Sequence, residues 1–340
     1  MAELKRRKLI MDVDTGADDA VALILSLMSP ELEVIGMTSV NGNREVYLTT
    51  LNTLRVKELV GAKAPVYKGC EYPLVATLLP GRKPNIPWRE GEMAKIDPIG
   101  NLVHDDHLEL PWPTIKEEPI PAPVWIVDAL MASEEKVVLC PVGPLTNIAM
   151  AMSIEPRIAD KIDEIMIMGA GHVTNNSSAV SEYNIWVDPE AAEIVQQFAE
   201  RHKIKLTWVP LDATHEAYLT VEDAAEIRAI GTPVAEFVAH VIEKRTKGYS
   251  RDADMAEYGG APVHAALAGL ALLDPTVLQD VRAGNCHIDI GAGYSDAETA
   301  LELRERTNKD APNCFFAFHA DRLKFKEMIV NILKRNEVWS

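Results

Sequence analysis

Short apolar runs alternate with helix-patterned segments along most of these 340 residues, and no other feature restricts the possible folds so tightly. The pattern predicts strands over 9–11, 32–40, 137–141, 164–168 and 206–211, with two short late strands at 287–290 and 315–318. Helices are predicted over 19–28, 45–60, 122–133, 145–152, 189–200, 221–229, 234–245, 263–273 and 322–333. Strands joined by helical crossovers form parallel sheets covered by helices. The expected fold is therefore α/β, one domain over 1–340 with a largely parallel central sheet flanked by helices.

Residues 73–121 break the rhythm. Nine prolines fall between Pro73 and Pro121 with little periodicity, and a long irregular segment inside a compact domain usually serves function or covers a site. It reads as an insertion over the sheet edge, because the rhythm resumes on both sides. A polar loop is expected over 247–260.

The formal net charge is −17. Such a field repels nucleic acid and anionic membranes and suits small neutral ligands or cations. Cys70, Cys140, Cys286 and Cys314 show no metal-ligand spacing and read as reduced thiols of a cytoplasmic protein. Residues 1–8 are charged and run straight into the first strand, unlike a secretory signal. No apolar stretch reaches membrane-spanning length.

The most informative segment is Asp12-Val13-Asp14-Thr15-Gly16-Ala17-Asp18-Asp19, at the end of the first strand. Ligands of open α/β sheets bind at the carboxyl ends of strands. Four carboxylates in eight residues repel one another unless a positive charge sits among them. Oxygen donors alone, with no His or Cys in the segment, point to a hard cation such as Ca²⁺ or Mg²⁺. A helix N-terminus favours acids, which accounts for Asp18 and Asp19 but leaves Asp12 and Asp14 unexplained.

This block resembles the N-terminal motif of the nucleoside hydrolases, the inosine-uridine and purine nucleoside N-ribohydrolases. The resemblance covers most of the chain. It includes Thr38-Ser39-Val40-Asn41-Gly42-Asn43, Pro141-Val142-Gly143-Pro144-Leu145-Thr146-Asn147, Met168-Gly169 followed by Asn176 and Glu182-Tyr183-Asn184, and Asp188-Pro189-Glu190-Ala191-Ala192. Pro210-Leu211-Asp212-Ala213-Thr214 and the helix at His264 complete the set. The resemblance implies a Rossmann-like nucleoside hydrolase fold and Ca²⁺-dependent hydrolysis of the N-glycosidic bond to ribose and free base. It implies Asp14, Asp19 and the Val142 carbonyl as calcium ligands, with Asp14 also taking a proton from the attacking water. Asp18, Asn43, Met168, Asn176, Glu182 and Asn184 would line the ribose. Carboxylates near the sugar would stabilise the oxocarbenium-like transition state. A homodimer or homotetramer is implied in the same way.

The chain departs from the family pattern at Ala265, where an Asp that is both calcium ligand and ribose contact is usual. The substitution, introduced or natural, implies weakened calcium binding and impaired activity. The His-Gly pair that usually precedes Asp97-Pro98-Ile99-Gly100 is also absent, since Ala94-Lys95 stands there. Pro87-Trp88-Arg89 resembles instead the tryptophan segment of the purine-specific branch, where an indole stacks on the base. Trp88 and a purine preference follow from that likeness, with His264 as the expected proton donor to the base and Tyr249 and Tyr258 as weaker candidates for covering it.

Two other readings compete. In a phosphatase, Asp12-Val13-Asp14 would be a nucleophile motif, but Gly16 stands where that motif wants Thr or Val. A non-catalytic nucleoside- or ribose-binding protein is the alternative that Ala265 keeps open.

Overall fold

The structure, a computed structural model, describes residues 6–75, 78–79, 104, 106–251, 255–304 and 310–339. From the N-terminus run β1 (Arg7–Val13), α1 (Ala17–Leu27), β2 (Leu32–Ser39), α2 (Val46–Val60) and β3 (Val66–Lys68). After the irregular segment come α3 (Ala122–Ala132), β4 (Val137–Pro141), α4 (Thr146–Ile154), β5 (Ile162–Met168), α5 (Tyr183–Val187), α6 (Pro189–His202) and β6 (Lys205–Val209). The chain continues through α7 (Leu211–Thr214), β7 (Tyr218–Thr220), α8 (Val221–Arg228), α9 (Pro233–Tyr249), β8 (Gly260–Pro262) and α10 (His264–Ala271). It closes with β9 (Leu278–Ile288), β10 (Thr299–Glu302), β11 (Cys314–Ala320) and α11 (Arg322–Arg335).

Nine strands form one sheet in the order β10-β9-β11-β6-β5-β4-β1-β2-β3, and β7 pairs with β8 apart from it. From β11 to β3 every pairing is parallel, while β9 and β10 add antiparallel pairs at one edge. The α/β expectation, with a largely parallel sheet flanked by helices, holds. Core strands such as β1 and β4 read as continuous apolar runs because helices bury both of their faces. Helix α1 is buried along its whole length and packs on α10, so its apolar run covers the full circumference.

Three local readings need correction. The late strand expected at 287–290 runs over Leu278–Ile288, because five consecutive residues, Gln279–Ala283, are exposed on that edge and carry no burial pattern. Helix α9 extends through Tyr249, so Tyr249 is helical where a loop was expected. The short helix α5 went unread because it follows directly on the loop from β5 and spans only five residues.

Strand order reverses between β1 and β4: β2 and β3 extend to one side, β5 and β6 to the other. That switch point opens a crevice at the strand carboxyl ends. Asp12 and Asp14 leave β1 on one wall, and Val142 and Gly143 leave β4 on the other. A backbone bond holds these walls in register, Val142 N–H to the Asp12 carbonyl at 2.8 Å, and Val40 N–H to the Val13 carbonyl at 2.9 Å ties the exit of β2 to β1.

Candidate active site

Asp12, Asp14, Asp18 and Asp19 are all buried, although their backbone stations differ. Asp12 ends β1 and accepts from the Thr38 hydroxyl at 2.6 Å and the Asn147 amide at 2.7 Å, both on Oδ1. Burial outweighs those bonds and pushes its carboxyl up to about 7. It braces β1 against β2 and the start of α4.

Asp14 follows in the turn before α1. Its Oδ2 accepts from the Asn43 backbone N–H at 2.7 Å. Gly143 comes so close to the other oxygen that a Cβ there would lie 2.7 Å from it. Burial first, and the neighbouring Asp19 second, raise the Asp14 carboxyl well above the usual range. Asp19, in the first turn of α1, accepts from Gly16 N–H and the Asn43 side-chain amide, each at 3.1 Å, through Oδ2. Its Oδ1 is buried without a partner among the described residues, and burial followed by the charge of Asp18 pushes this carboxyl to about 7.

Asp18 differs. Burial alone would raise it, but Arg245 Nη1 lies 2.9 Å from its Oδ1, and the pair brings the carboxyl down to about 2. Its Oδ2 accepts from the Ala265 backbone N–H at 3.3 Å. One carboxylate thus has a resident counter-charge, while Asp14 and Asp19 have none among the described residues.

Glu182 stands at the N-cap of α5 and accepts from the backbone N–H of Ala170 at 3.1 Å and of Ile185 at 3.2 Å. Burial raises it to about 7. Ala170 takes a positive φ of 73°, a conformation that costs a non-glycine residue energy and tends to persist where a site needs it. Asn184 donates its amide to the carbonyls of Val142 at 2.9 Å and Met168 at 3.2 Å. Tyr183 donates its hydroxyl to the Gly42 carbonyl at 2.7 Å, tying α5 to the loop that carries Asn43.

His264 opens α10. Its Nδ1 meets the Thr214 hydroxyl at 2.7 Å and its Nε2 the Tyr249 hydroxyl at 2.9 Å. Burial holds its pKa well below the ordinary value, so the ring is neutral at pH 7.

The structure therefore gathers Asp14, Asp18, Asp19, Asn43, Val142, Met168, Glu182, Asn184 and His264 about the strand ends. Asn176 is exposed on the loop after β5, where its Oδ1 accepts from the Ser177 hydroxyl at 3.2 Å. Tyr258, a candidate for covering the base, is 46% exposed and packs at an oblique angle on Tyr218. Trp88 lies outside the described residues.

Two residues escaped the sequence reading. His104 is partly buried against α1: its Nδ1 accepts from Ala17 N–H at 3.3 Å, and its Nε2 lies 3.7 Å from Asp18 Oδ1. Burial lowers its pKa to about 3. Ligand atoms of Asp18, Asp19 and His104 all lie within 4.8 Å of one another. Arg245 is the second. Neither carries a local sequence signal, since His104 follows the proline-rich stretch and Arg245 is one of several cations near the end of a helix.

The donor set fits a divalent cation. Two buried carboxylates without counter-charge among the described residues, an Asp19 oxygen with no partner among them, and the Val142 carbonyl with one lone pair beyond its bond from Asn184 offer hard oxygen donors.

An acid-lined crevice at the switch point of an open α/β sheet is a small-molecule site. The profile of the inosine-uridine preferring nucleoside hydrolases matches residues 9–327. An inosine-uridine preferring nucleoside hydrolase of Leishmania major is 34% identical over 333 residues, covering 97% of this chain and 98% of that one. A pyrimidine-specific ribonucleoside hydrolase of Escherichia coli O1:K1 is 32% identical over 331 residues, covering 96% and 98%. The solved purine-preferring ribonucleoside hydrolase from Gardnerella vaginalis superposes with a TM-score of 0.83 at 29% identity, covering 97% of this chain and 99% of that one. The chain belongs to the nucleoside hydrolase family. Among the described residues no helix is long and apolar enough to cross a membrane.

Proposed function

We propose that this chain hydrolyses the N-glycosidic bond of ribonucleosides, with Ca²⁺ as its cation, and that Ala265 weakens the activity. The observation that carries the reading is the buried pair Asp14 and Asp19, both held by Asn43 beside the close approach of Gly143, with no counter-charge among the described residues. Asp14, Asp19 and Val142 would hold the cation, which when bound polarises water towards ionisation. Asp14, pinned by Asn43 N–H, takes the proton as water attacks the anomeric carbon. Asp18, Glu182 and Asn184 receive the ribose hydroxyls on groups whose other bonds are already made to protein. The carboxylates around the ring favour the developing oxocarbenium charge.

At the leaving side, the neutral His264 ring, held between Thr214 and Tyr249, orients the Tyr249 hydroxyl to hydrogen-bond the departing base, whose proton comes from solvent. Trp88 stacks on a purine base, which gives the enzyme its purine preference. Relatives named for purines and for pyrimidines both resemble this chain, so the preference rests on Trp88 alone. Release of hypoxanthine, adenine and uracil from inosine, adenosine and uridine, measured with added calcium, tests the activity directly.

Ala265 favours a second reading, a nucleoside- or ribose-binding protein without turnover. Its backbone N–H still serves Asp18, while its side chain offers no oxygen. Nucleoside binding without base release, persisting in an Ala265→Asp variant, would support that reading.

A further inference from the structure

Arg245 lies near the C-terminal end of α9 and is fully buried. Its Nη1 donates to Asp18 Oδ1 at 2.9 Å and its Nε to the Pro262 carbonyl at 3.0 Å. The guanidinium also sits 5.4 Å from the centre of the Tyr249 ring. Pro262 and Ala265 flank the turn into α10, and Ala265 N–H returns to Asp18 Oδ2. Tyr249 in turn meets His264. One side chain thus joins the carboxylate on α1, the turn that presents His264, and the tyrosine that bonds it.

Stability alone is a poor account of this guanidinium. A buried ion pair is often no better than apolar side chains of the same volume, and Arg245 Nη2 has no hydrogen-bond partner among the described residues. An apolar residue at 245 could fill the space, but it could not fix the direction of the Asp18 carboxylate. A planar fork with two fixed acceptors can.

We propose that Arg245 is a positioning residue for nucleoside binding: it aims the Asp18 carboxylate at the ribose hydroxyls and locks it to the turn that presents His264. The proposal rests on the N-ribohydrolase reading of Asp18. Arg245 acts through Asp18 and does not take part in bond cleavage.

The test is calorimetric binding of inosine and of uridine in calcium, with the parent protein, Arg245→Met, Arg245→Lys, and Arg322→Gln as a control. Arg322 pairs with Asp223 in the cap of α8. Circular dichroism and thermal unfolding establish that each variant is folded. Loss of one charge-assisted hydrogen bond weakens binding by about 10- to 100-fold, the loss expected in Arg245→Met. Arg245→Lys keeps the charge but not the two-point hold, and should fall between Met and the parent. Arg322→Gln should bind as the parent does. In an Ala265→Asp background the Arg245→Met loss should fall on KM more than on kcat.

A folded Arg245→Met that binds as tightly as the parent overturns the proposal. If that variant does not fold, Arg245→Lys with unchanged affinity overturns it equally. A parent that binds neither nucleoside overturns the N-ribohydrolase reading and this proposal together, a result visible before any substitution is made.

Discussion

Asn184 donates its side-chain amide to the main-chain carbonyl of Val142 at 2.9 Å, so a residue of the sugar side directly braces the β4 exit that faces Asp14. The same amide reaches the Met168 carbonyl at 3.2 Å. Ends of two neighbouring strands are thereby clamped by one side chain. Asn184→Ala should weaken calcium binding as well as nucleoside binding, and isothermal titration with each ligand reads the two losses separately. Loss of nucleoside affinity alone would mean that the clamp does not shape the cation cradle.

Asp14→Asn, made in an Ala265→Asp background, should lower base release by about 10²- to 10⁴-fold, the range for removal of a general base. A steeper fall is expected if calcium is lost as well. Binding through Asp18, Glu182 and Asn184 should fall less. Turnover within about tenfold of the background leaves less than about 1.4 kcal/mol for Asp14 in the transition state, and the base would have to be sought elsewhere.

Gly143→Ala puts a methyl group 2.7 Å from Asp14 Oδ1. Asp14 cannot retreat freely, because Asn43 N–H holds its other oxygen. Overpacking of this kind costs about 1–3 kcal/mol. Thermal unfolding should therefore occur at a lower temperature, with weaker calcium binding. An unchanged melting temperature and calcium affinity would show that Gly143 and Asp14 are not in contact.

Sequence pattern revealed the parallel core and the aspartate block because both are local: each strand is a short apolar run, and the acids sit at its end. Ribose-contact roles for Asn43, Glu182 and Asn184 are proposals that rest on the family resemblance, for Glu182 and Asn184 on their spacing behind Met168-Gly169. His104 and Arg245 could not be read. Arg245 lies 227 positions from Asp18, and only the packing of α9 beside α1 brings them together. The antiparallel edge was misjudged for another reason. An exposed stretch of β9 has no buried face to impose alternation, so its first residues look like loop.

Protonation of His264 should make the fold less stable in acid. Its folded pKa is depressed by burial, whereas in the unfolded chain it takes the ordinary value near 6.5. Between those values the unfolded state binds the extra proton, so stability present above about pH 6.5 is lost as pH falls below it. Glu182, raised by burial to about 7, acts in the opposite sense, so the comparison must be a difference between variants. Melting temperatures of parent and His264→Asn should diverge at pH 7 and converge towards pH 5. A gap that stays constant across that range would mean His264 does not stay neutral in the fold.

Trp88→Ala should reduce the preference for inosine over uridine by about 1–3 kcal/mol in kcat/KM, the scale of base–aromatic stacking. His264→Ala is the comparison. If it abolishes inosine hydrolysis while Trp88→Ala changes nothing, base protonation carries the leaving step without stacking.

The most direct measurement restores the missing oxygen. Ala265→Asp and the parent are incubated with inosine, adenosine and uridine in calcium, and free base and ribose are quantified together. Equal molar yields of base and ribose, faster in Ala265→Asp than in the parent and abolished by a chelator, are the predicted result. Tight nucleoside binding with no base released from any of the three by Ala265→Asp would contradict it.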